Sequence, residues 1–167
     1  MSKAFTSEET PDLAPPARPG PRLAPGEVRY VTPEGHAALR AELSRLAGER
    51  AAAAALPATE RPARVADLDR RAALVEATLA AVTVLAPDAA PEGTVAFGTW
   101  VTVEDEAGAT STWRIVGPDE VDPRRGLVSV HAPVARALLG RTRGDEVEVE
   151  RPGGTRTLTV VDVRRTP

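Results

Sequence analysis

Residues 62–82, PARVADLDRRAALVEATLAAV, decide the fold of the first half of the chain. Their apolar side chains recur in alternating steps of three and four, which is the spacing of a coiled-coil seam along one face of a helix. Such a seam is stable only against a second helix, so we expect a helical pair here. The predicted seam consists of Val65, Leu68, Ala72, Val75, Leu79 and Val82.

The partner helix is predicted directly upstream of this stretch. Thr32 can cap its N-terminus and Pro33 suits its first position, while Leu56-Pro57 ends it. Two helices of about 20 residues joined by a short turn form an antiparallel hairpin roughly 30 Å long. We expect the alanine run at residues 51–55 to leave the distal half of this hairpin weakly packed.

Downstream of residue 87 the apolar residues alternate with period two, which is typical of strands. We expect five strands, with Val95, Phe97 and Val101 on one face of the first strand. A two-turn helix is expected at residues 133–139. The predicted fold class is therefore α+β, in which an N-terminal antiparallel helical hairpin precedes an antiparallel sheet domain with one short helix.

These patterns divide the 167-residue chain into four segments. Residues 1–31 hold six prolines and little apolar bulk, so they are predicted to form a disordered proline-rich tail. Residues 32–85 are assigned to the hairpin, residues 86–93 to a linker, and residues 94–165 to the sheet domain. A proline-flanked linker predicts that the two folded parts are separable.

Composition excludes several classes of function. The chain has no cysteine, so disulfides, thiolate zinc sites and cysteine nucleophiles are ruled out. It has no phosphate-binding glycine loop and no serine in a nucleophile elbow, so we expect neither catalytic residues nor a cofactor. A net charge of −3 argues against strong independent binding of nucleic acid. Without a long apolar run or a signal peptide, the chain is expected to be cytoplasmic with no membrane contact.

Six stretches of the chain carry a resemblance to a known family. They are FGTWV at residues 97–101, RIVGPDE at 114–120, APVARALLG at 132–140, GDEV at 144–147, YVTPEG at 30–35 and LDRR at 68–71. The first four together resemble the C-terminal domain of the GreA/GreB family of bacterial transcript-cleavage factors. The last two look like the family's entry into its first long helix and its second helix. The similarity covers nearly everything from Tyr30 to Val163.

The resemblance implies a C-terminal domain of FKBP-like fold that docks at the rim of the secondary channel of RNA polymerase, while the hairpin reaches down the channel. In the family, two acidic residues at the hairpin tip help to hold a catalytic magnesium ion and its attacking water. The resemblance also implies a polymerase-binding surface, in which Arg136 is the best charged contact. The implied polymerase-binding residues are Asp119, Glu120, Asp122, Ser129, Pro133 and Arg136.

The hairpin tip departs from this family pattern. The corresponding residues 55–63 read ALPATERPA, without the family's Asp-x-x-Glu-Asn motif, and the chain contains no asparagine. The hairpin is also short by about 15 residues, close to one heptad per arm, which withdraws the tip by about 10 Å. The tip residues Thr59, Glu60 and Arg61 offer a single carboxylate, so no metal site is expected there.

The sequence therefore predicts a regulator of transcription elongation that binds RNA polymerase at its secondary channel, is not itself an enzyme and does not stimulate transcript cleavage. The alternative is an active cleavage factor whose atypical tip uses Glu60 with Asp67. A third possibility, peptidyl-prolyl isomerase activity, follows from the FKBP-like fold alone. The aromatic side chains available for an isomerase pocket are Phe97, Trp100 and Trp113.

Overall fold

A computed structural model describes residues 28–166. Most of the segment predicted as a proline-rich tail, residues 1–27, lies outside the described residues. The described part begins with a short strand β1 (Arg29–Val31), which leads into helix α1 (Pro33–Ala52). Helix α2 (Arg61–Ala81) returns antiparallel to α1 and runs into strand β2 (Val82–Val84).

The predicted start of the hairpin is confirmed at atomic detail. Thr32 has extended backbone angles, and its hydroxyl oxygen accepts a hydrogen bond of 3.0 Å from the Gly35 N–H. Pro33 occupies the first helical position, where its missing N–H costs no hydrogen bond. At the other end, α1 tightens into a 3-10 turn (Ala53–Ala55) before Leu56 leaves the helix.

The packing inside the hairpin differs from the prediction. Leu46 and Leu68 are each 1% exposed and form a buried cluster with Ala53 near the turn, whereas Leu79, nearer the base, is only half-buried. Side chains of both arms pack against this cluster and cover the two leucines; they are Leu56, Val65, Ala72 and Val75. The distal half is therefore the better-packed half.

Two segment boundaries are also corrected. Residues 29–31, assigned to the tail, form β1, and Val82, assigned to the helical seam, is the first residue of β2. The two strands pair in parallel, with Val31 opposite Val84. A run of β-branched residues, Val82-Thr83-Val84, disfavours a helix and favours a strand, which is why α2 stops at Ala81.

The sheet domain has five strands in the order β5-β4-β3-β7-β6. The strands are β3 (Trp100–Asp105), β4 (Thr110–Val116), β5 (Leu127–Ser129), β6 (Glu146–Arg151) and β7 (Gly154–Arg164), and helix α3 (Pro133–Leu138) follows β5. Every pairing is antiparallel except β4–β5, which is parallel, so the prediction of a wholly antiparallel sheet is wrong at this edge. After β4 the chain turns back through the 3-10 turn Pro123–Arg125, and β5 then pairs with the last three residues of β4, Arg114 to Val116.

The first strand of the sheet starts later than predicted. Gly98 has a left-handed φ of 82°, and the Thr99 hydroxyl bonds the backbone of Ala96, so the chain turns before Trp100 begins β3. Val95 is nevertheless buried in the core. That core fills the space between one face of the sheet and α3, and its members are Val95, Val101, Val103, Ile115, Ala135, Leu138, Val147, Val149, Leu158 and Val160.

Candidate functional site

The opposite face of the sheet meets the base of the hairpin across a cleft of about 280 Å³. Trp100, Arg114 and Leu127 lie side by side on β3, β4 and β5 and form one wall. Ala38 and Leu39 of α1 form the other wall. The hairpin is therefore seated on the sheet domain rather than attached only through the linker.

Arg114 is the central side chain of this junction. Its guanidinium donates to the Gly98 carbonyl at 3.0 Å and to the Glu34 carboxylate at 2.9 Å, and it lies 5.8 Å from the centre of the Trp100 ring. Burial acts to raise the pKa of Glu34, but a backbone hydrogen bond and Arg114 outweigh that effect and lower the pKa below its ordinary range. Arg114 thus joins the sheet to the first turn of α1 through a charge-assisted hydrogen bond.

Glu120 ties the same helix start to the loop after β4. Its carboxylate accepts hydrogen bonds from the Thr32 N–H at 3.0 Å, the Gly117 N–H at 3.1 Å and the Thr32 hydroxyl. The fit is close, because a Cβ on Gly35 would collide with the Glu120 carboxylate. Thr32 therefore caps α1 and anchors it to the sheet domain at the same time.

Asp119, the neighbour of Glu120, forms an ion pair with Arg29 of β1. The side chains are 13% exposed for Arg29 and 9% for Asp119, so the pair is largely shielded from water. Both acidic residues at the start of the predicted polymerase-binding surface thus have partners within the chain. Their role in polymerase binding stays a prediction, and the structure adds a role in fixing the hairpin.

The other residues of the predicted surface are arranged differently. The Asp122 carboxylate accepts from the Arg124 N–H at 3.0 Å and caps the 3-10 turn, and the Ser129 hydroxyl accepts from the His131 N–H at 3.2 Å. Pro133 begins α3, and Arg136 is exposed on that helix. These residues shape the chain around β5 and α3, while Asp119 and Glu120 face the hairpin.

The hairpin tip has all three of its predicted residues on the surface. The Arg61 guanidinium donates a hydrogen bond of 2.8 Å to the Leu56 carbonyl, so this carbonyl at the end of the first arm has a partner. Glu60 is the N-cap residue of α2, but its side chain makes no capping hydrogen bond. Thr59 lies in the turn between the two arms.

The carboxylates behind the tip are held by arginines. Asp67 lies 3.0 Å from Arg70, 3.9 Å from Arg71 and 4.0 Å from Arg64. Glu60 is seven residues, or two helical turns, before Asp67, which separates their backbone positions by about 10 Å. Nowhere in residues 28–166 do three or more histidine, aspartate or glutamate side chains meet in a way that could hold a metal ion.

The three aromatic side chains suggested for an isomerase pocket do not share one cavity. Trp113 packs against the sheet core, and Trp100 lies on the opposite face beside Arg114. Phe97 contacts Tyr30, with 6.0 Å between their ring centres. The junction contacts were missed by the sequence analysis because their partners are 80 to 90 residues apart and no local pattern links them.

Comparisons with known proteins show the family of this chain. Residues 90–165 match the family model described as transcription elongation factor, GreA/GreB, C-term. The transcription elongation factor GreB of Pseudomonas aeruginosa is 37% identical over 152 residues, which cover 82% of this chain and 90% of that protein. GreB of Yersinia pestis is 40% identical over 104 residues, but this match spans only 61% of the relative's length.

A solved GreA/GreB factor from Nitrosomonas europaea is 25% identical, with 83% of this chain and 98% of that chain covered and a TM-score of 0.41. The class of protein is defined by the long sequence match to GreB of Pseudomonas aeruginosa. The chain belongs to the GreA/GreB family.

Proposed function

We propose that this protein binds RNA polymerase at the secondary channel and regulates transcription elongation in the cytoplasm without stimulating transcript cleavage. The support for an elongation role is membership of a family whose relatives are named transcription elongation factors. No helix in residues 28–166 has the length and apolar character needed to cross a bilayer. The protein then acts by binding, with the polymerase supplying any chemistry.

The sheet domain is the proposed docking part. We assign it an FKBP-like fold and place its contact with the channel rim around Asp122, Ser129, Pro133 and Arg136. Asp119 and Glu120 then contribute by holding α1 against the sheet. The domain that docks and the arm that enters the channel are in direct contact through these two carboxylates.

The proposal that the protein does not stimulate cleavage rests on the ion pairs of the carboxylates near the hairpin tip. A hard cation such as magnesium needs several oxygen ligands in one place. Near the tip, Glu49 is bound by Arg64 at 2.8 Å, Asp69 by Arg50 at 2.5 Å, and Asp67 lies among three arginines. Of the carboxylates near the tip, only Glu60 forms no ion pair with the described residues, and one carboxylate is a poor metal site.

The test has two steps. Immobilised core RNA polymerase should retain the protein, and stalled, backtracked complexes should release short RNA fragments no faster with the protein than without it. A GreB factor with an acidic tip serves as the positive control for cleavage. Failure to bind polymerase would overturn the proposal as a whole.

The alternative cleavage mechanism is tested by Glu60→Ala. If wild-type protein accelerates fragment release and Glu60→Ala does not, the tip holds the metal after all and the protein is an active cleavage factor. Thr59→Ala, a change at the neighbouring exposed residue, is the matched control. We expect the wild type and both variants to behave alike in this assay.

A further inference from the structure

The cleft between the base of α1 and the sheet combines apolar walls with carboxylates. Its apolar lining includes Leu39, Trp100 and Leu127, all of which are half-buried. Its charged lining has four carboxylates and two guanidiniums, which belong to Glu34, Glu42, Asp119 and Glu120 and to Arg114 and Arg125. A groove with an aromatic wall and an excess of carboxylates is suited to an extended, positively charged peptide.

Two of these carboxylates, both on α1, can accept a further cation. The side chains of Glu34 and Glu42 are 65% and 36% exposed. Each has one arginine partner, Arg114 for Glu34 and Arg45 for Glu42, but an ionised carboxylate offers about four lone-pair sites. The two residues are eight positions apart, which is about 12 Å along the axis of a helix.

The sequence at residues 15–25, PPARPGPRLAP, has the composition that this cleft favours. It contains five prolines, two arginines and no acidic residue. Prolines favour the polyproline II helix, which rises about 3.1 Å per residue and docks in aromatic-lined grooves. Arg18 and Arg22 are four positions apart, so this conformation separates them by about 12 Å. The spacing of the two arginines thus matches that of Glu34 and Glu42.

This segment joins the described part of the chain directly beside the cleft. Arg29, at the start of β1, forms an ion pair with Asp119, and Asp119 lines the cleft. Arg22 is seven positions before Arg29, so extended chain between them can span about 22 Å. The segment is therefore long enough to turn back from β1 and lie along the base of α1.

We propose that residues 15–25 bind in this cleft within the same chain. Arg22, which is nearer to β1, pairs with Glu34 at the start of α1, and Arg18 pairs with Glu42 two turns further along. Prolyl rings pack on the apolar walls, so the segment contacts α1 and the sheet together and reinforces the seating of the hairpin. A weak contact is sufficient, because the tether gives a high effective concentration and the prolines reduce the entropy lost on binding.

The experiment uses a spin label on the segment and nuclear magnetic resonance of the full chain. Because the protein has no cysteine, Ala17→Cys introduces a single thiol for a nitroxide next to Arg18. The two indole N–H resonances of the 15N-enriched protein are the readout. Trp100 lines the cleft, whereas Trp113 packs against the core on the other face of the sheet and serves as the internal reference. We expect the nitroxide to broaden the Trp100 resonance more than the Trp113 resonance, and reduction of the nitroxide to restore both.

Two charge variants of the labelled protein test the pairing. The test variant is Arg18→Glu/Arg22→Glu, which places like charges opposite the carboxylates of α1. The control variant is Arg141→Glu/Arg143→Glu, which changes the net charge equally at exposed arginines outside the cleft. We expect the test variant to lose the selective broadening of Trp100 and the control variant to keep it.

Each other outcome overturns a defined statement. If the label broadens both tryptophan resonances alike, or neither of them, the segment does not occupy the cleft. If the test variant keeps the selective broadening, the pairing of Arg18 and Arg22 with the two glutamates is wrong. If both variants lose it, net charge rather than this pairing is responsible. If a spin-labelled chain without 15N broadens Trp100 of an unlabelled 15N-enriched chain to the same extent, the segment binds a second copy and the intramolecular contact is wrong. None of these outcomes bears on the proposed binding of polymerase.

Discussion

At the scale of single residues, Glu120 does the most to connect the two parts of the molecule. One carboxylate satisfies both the backbone and the side chain of the residue that caps α1, together with a backbone N–H in its own loop. Three donors share this one group, and a charged acceptor makes each of these hydrogen bonds stronger than a neutral acceptor would. The residue is therefore sensitive to a change of one atom.

We predict that Glu120→Gln destabilises the protein by about 1–3 kcal/mol, because the neutral amide weakens the hydrogen bonds from the Thr32 and Gly117 N–H groups and turns its NH2 toward the Thr32 hydroxyl. Urea unfolding at neutral pH measures the effect. Glu148→Gln, an exposed change on β6, is the matched control and should alter the free energy of unfolding by less than about 0.5 kcal/mol. Equal effects of the two variants would contradict the assigned role of Glu120.

Glu34 provides a prediction about pH. Its pKa is lowered in the folded protein, so its ion pair with Arg114 adds stability above the unfolded-state pKa of about 4.3 and loses it as the pH falls through the folded-state value. Glu34→Gln should therefore be less stable than the wild type at pH 7 and nearly equal to it at pH 3. Because the Glu34 side chain is 65% exposed, solvent keeps this difference small. If the difference in stability between the wild type and Glu34→Gln grew on acidification, the ion pair of Glu34 with Arg114 would not stabilise the fold.

At the scale of secondary-structure elements, the two arms of the hairpin depend on few large side chains. Leu46 and Leu68 are the only leucines that are fully buried in the described part of the hairpin, and they meet between alanines. Removing one of them leaves a cavity that the neighbouring methyl groups cannot fill. The hairpin is therefore more vulnerable near its turn than near its base.

Leu68→Ala should lower the free energy of unfolding by about 2–5 kcal/mol. Leu74→Ala on the same helix, where the leucine is 42% exposed, is the control and should cost far less. Leu79→Ala should fall between the two, since that side chain is half-buried. Thermal unfolding followed by far-ultraviolet circular dichroism measures all three, and a greater loss for Leu79→Ala would place the main packing at the base instead.

The elements differ in how far the sequence could predict them. The α1 start follows from Thr32-Pro33 alone, because capping is a local interaction, and the seam of α2 follows from its periodicity. The parallel pairing of β5 with β4 was not predicted, because a connection this short between neighbouring strands usually joins an antiparallel pair. The ribbon β1–β2 was not predicted, because its strands are three residues long and lie about 50 residues apart in the chain. The pairs Arg29–Asp119 and Arg114–Glu34 were missed because their partners also lie far apart in the chain.

At the scale of the whole molecule, the hairpin and the sheet domain are joined by more than the linker. Residues 86–93 connect them covalently, but the Thr32–Glu120 and Arg29–Asp119 contacts join them a second time. These contacts argue against the prediction that the hairpin and the sheet domain are separable. Cutting the molecule at the linker would expose charged groups that now have partners.

We predict that the full chain unfolds in one transition. The only two tryptophans, Trp100 and Trp113, lie in the sheet domain, so their fluorescence follows that domain, while circular dichroism at 222 nm follows mainly the helices. The two signals should change at the same urea concentration in the wild type. In Glu120→Ala they should separate, with the helical signal lost first. Separate transitions in the wild type would mean that the junction contributes little to stability.

The seating of α1 on Glu120 also has a geometric consequence for the far end of the molecule. An arm of about 30 Å that pivots by roughly 5° at its base moves its end by about 3 Å, close to the length of a hydrogen bond. The position of the tip therefore depends on residues at the opposite end of the hairpin. These residues are Thr32, Gly35, Gly117 and Glu120. A substitution at this pivot would misdirect the tip without altering any residue in it.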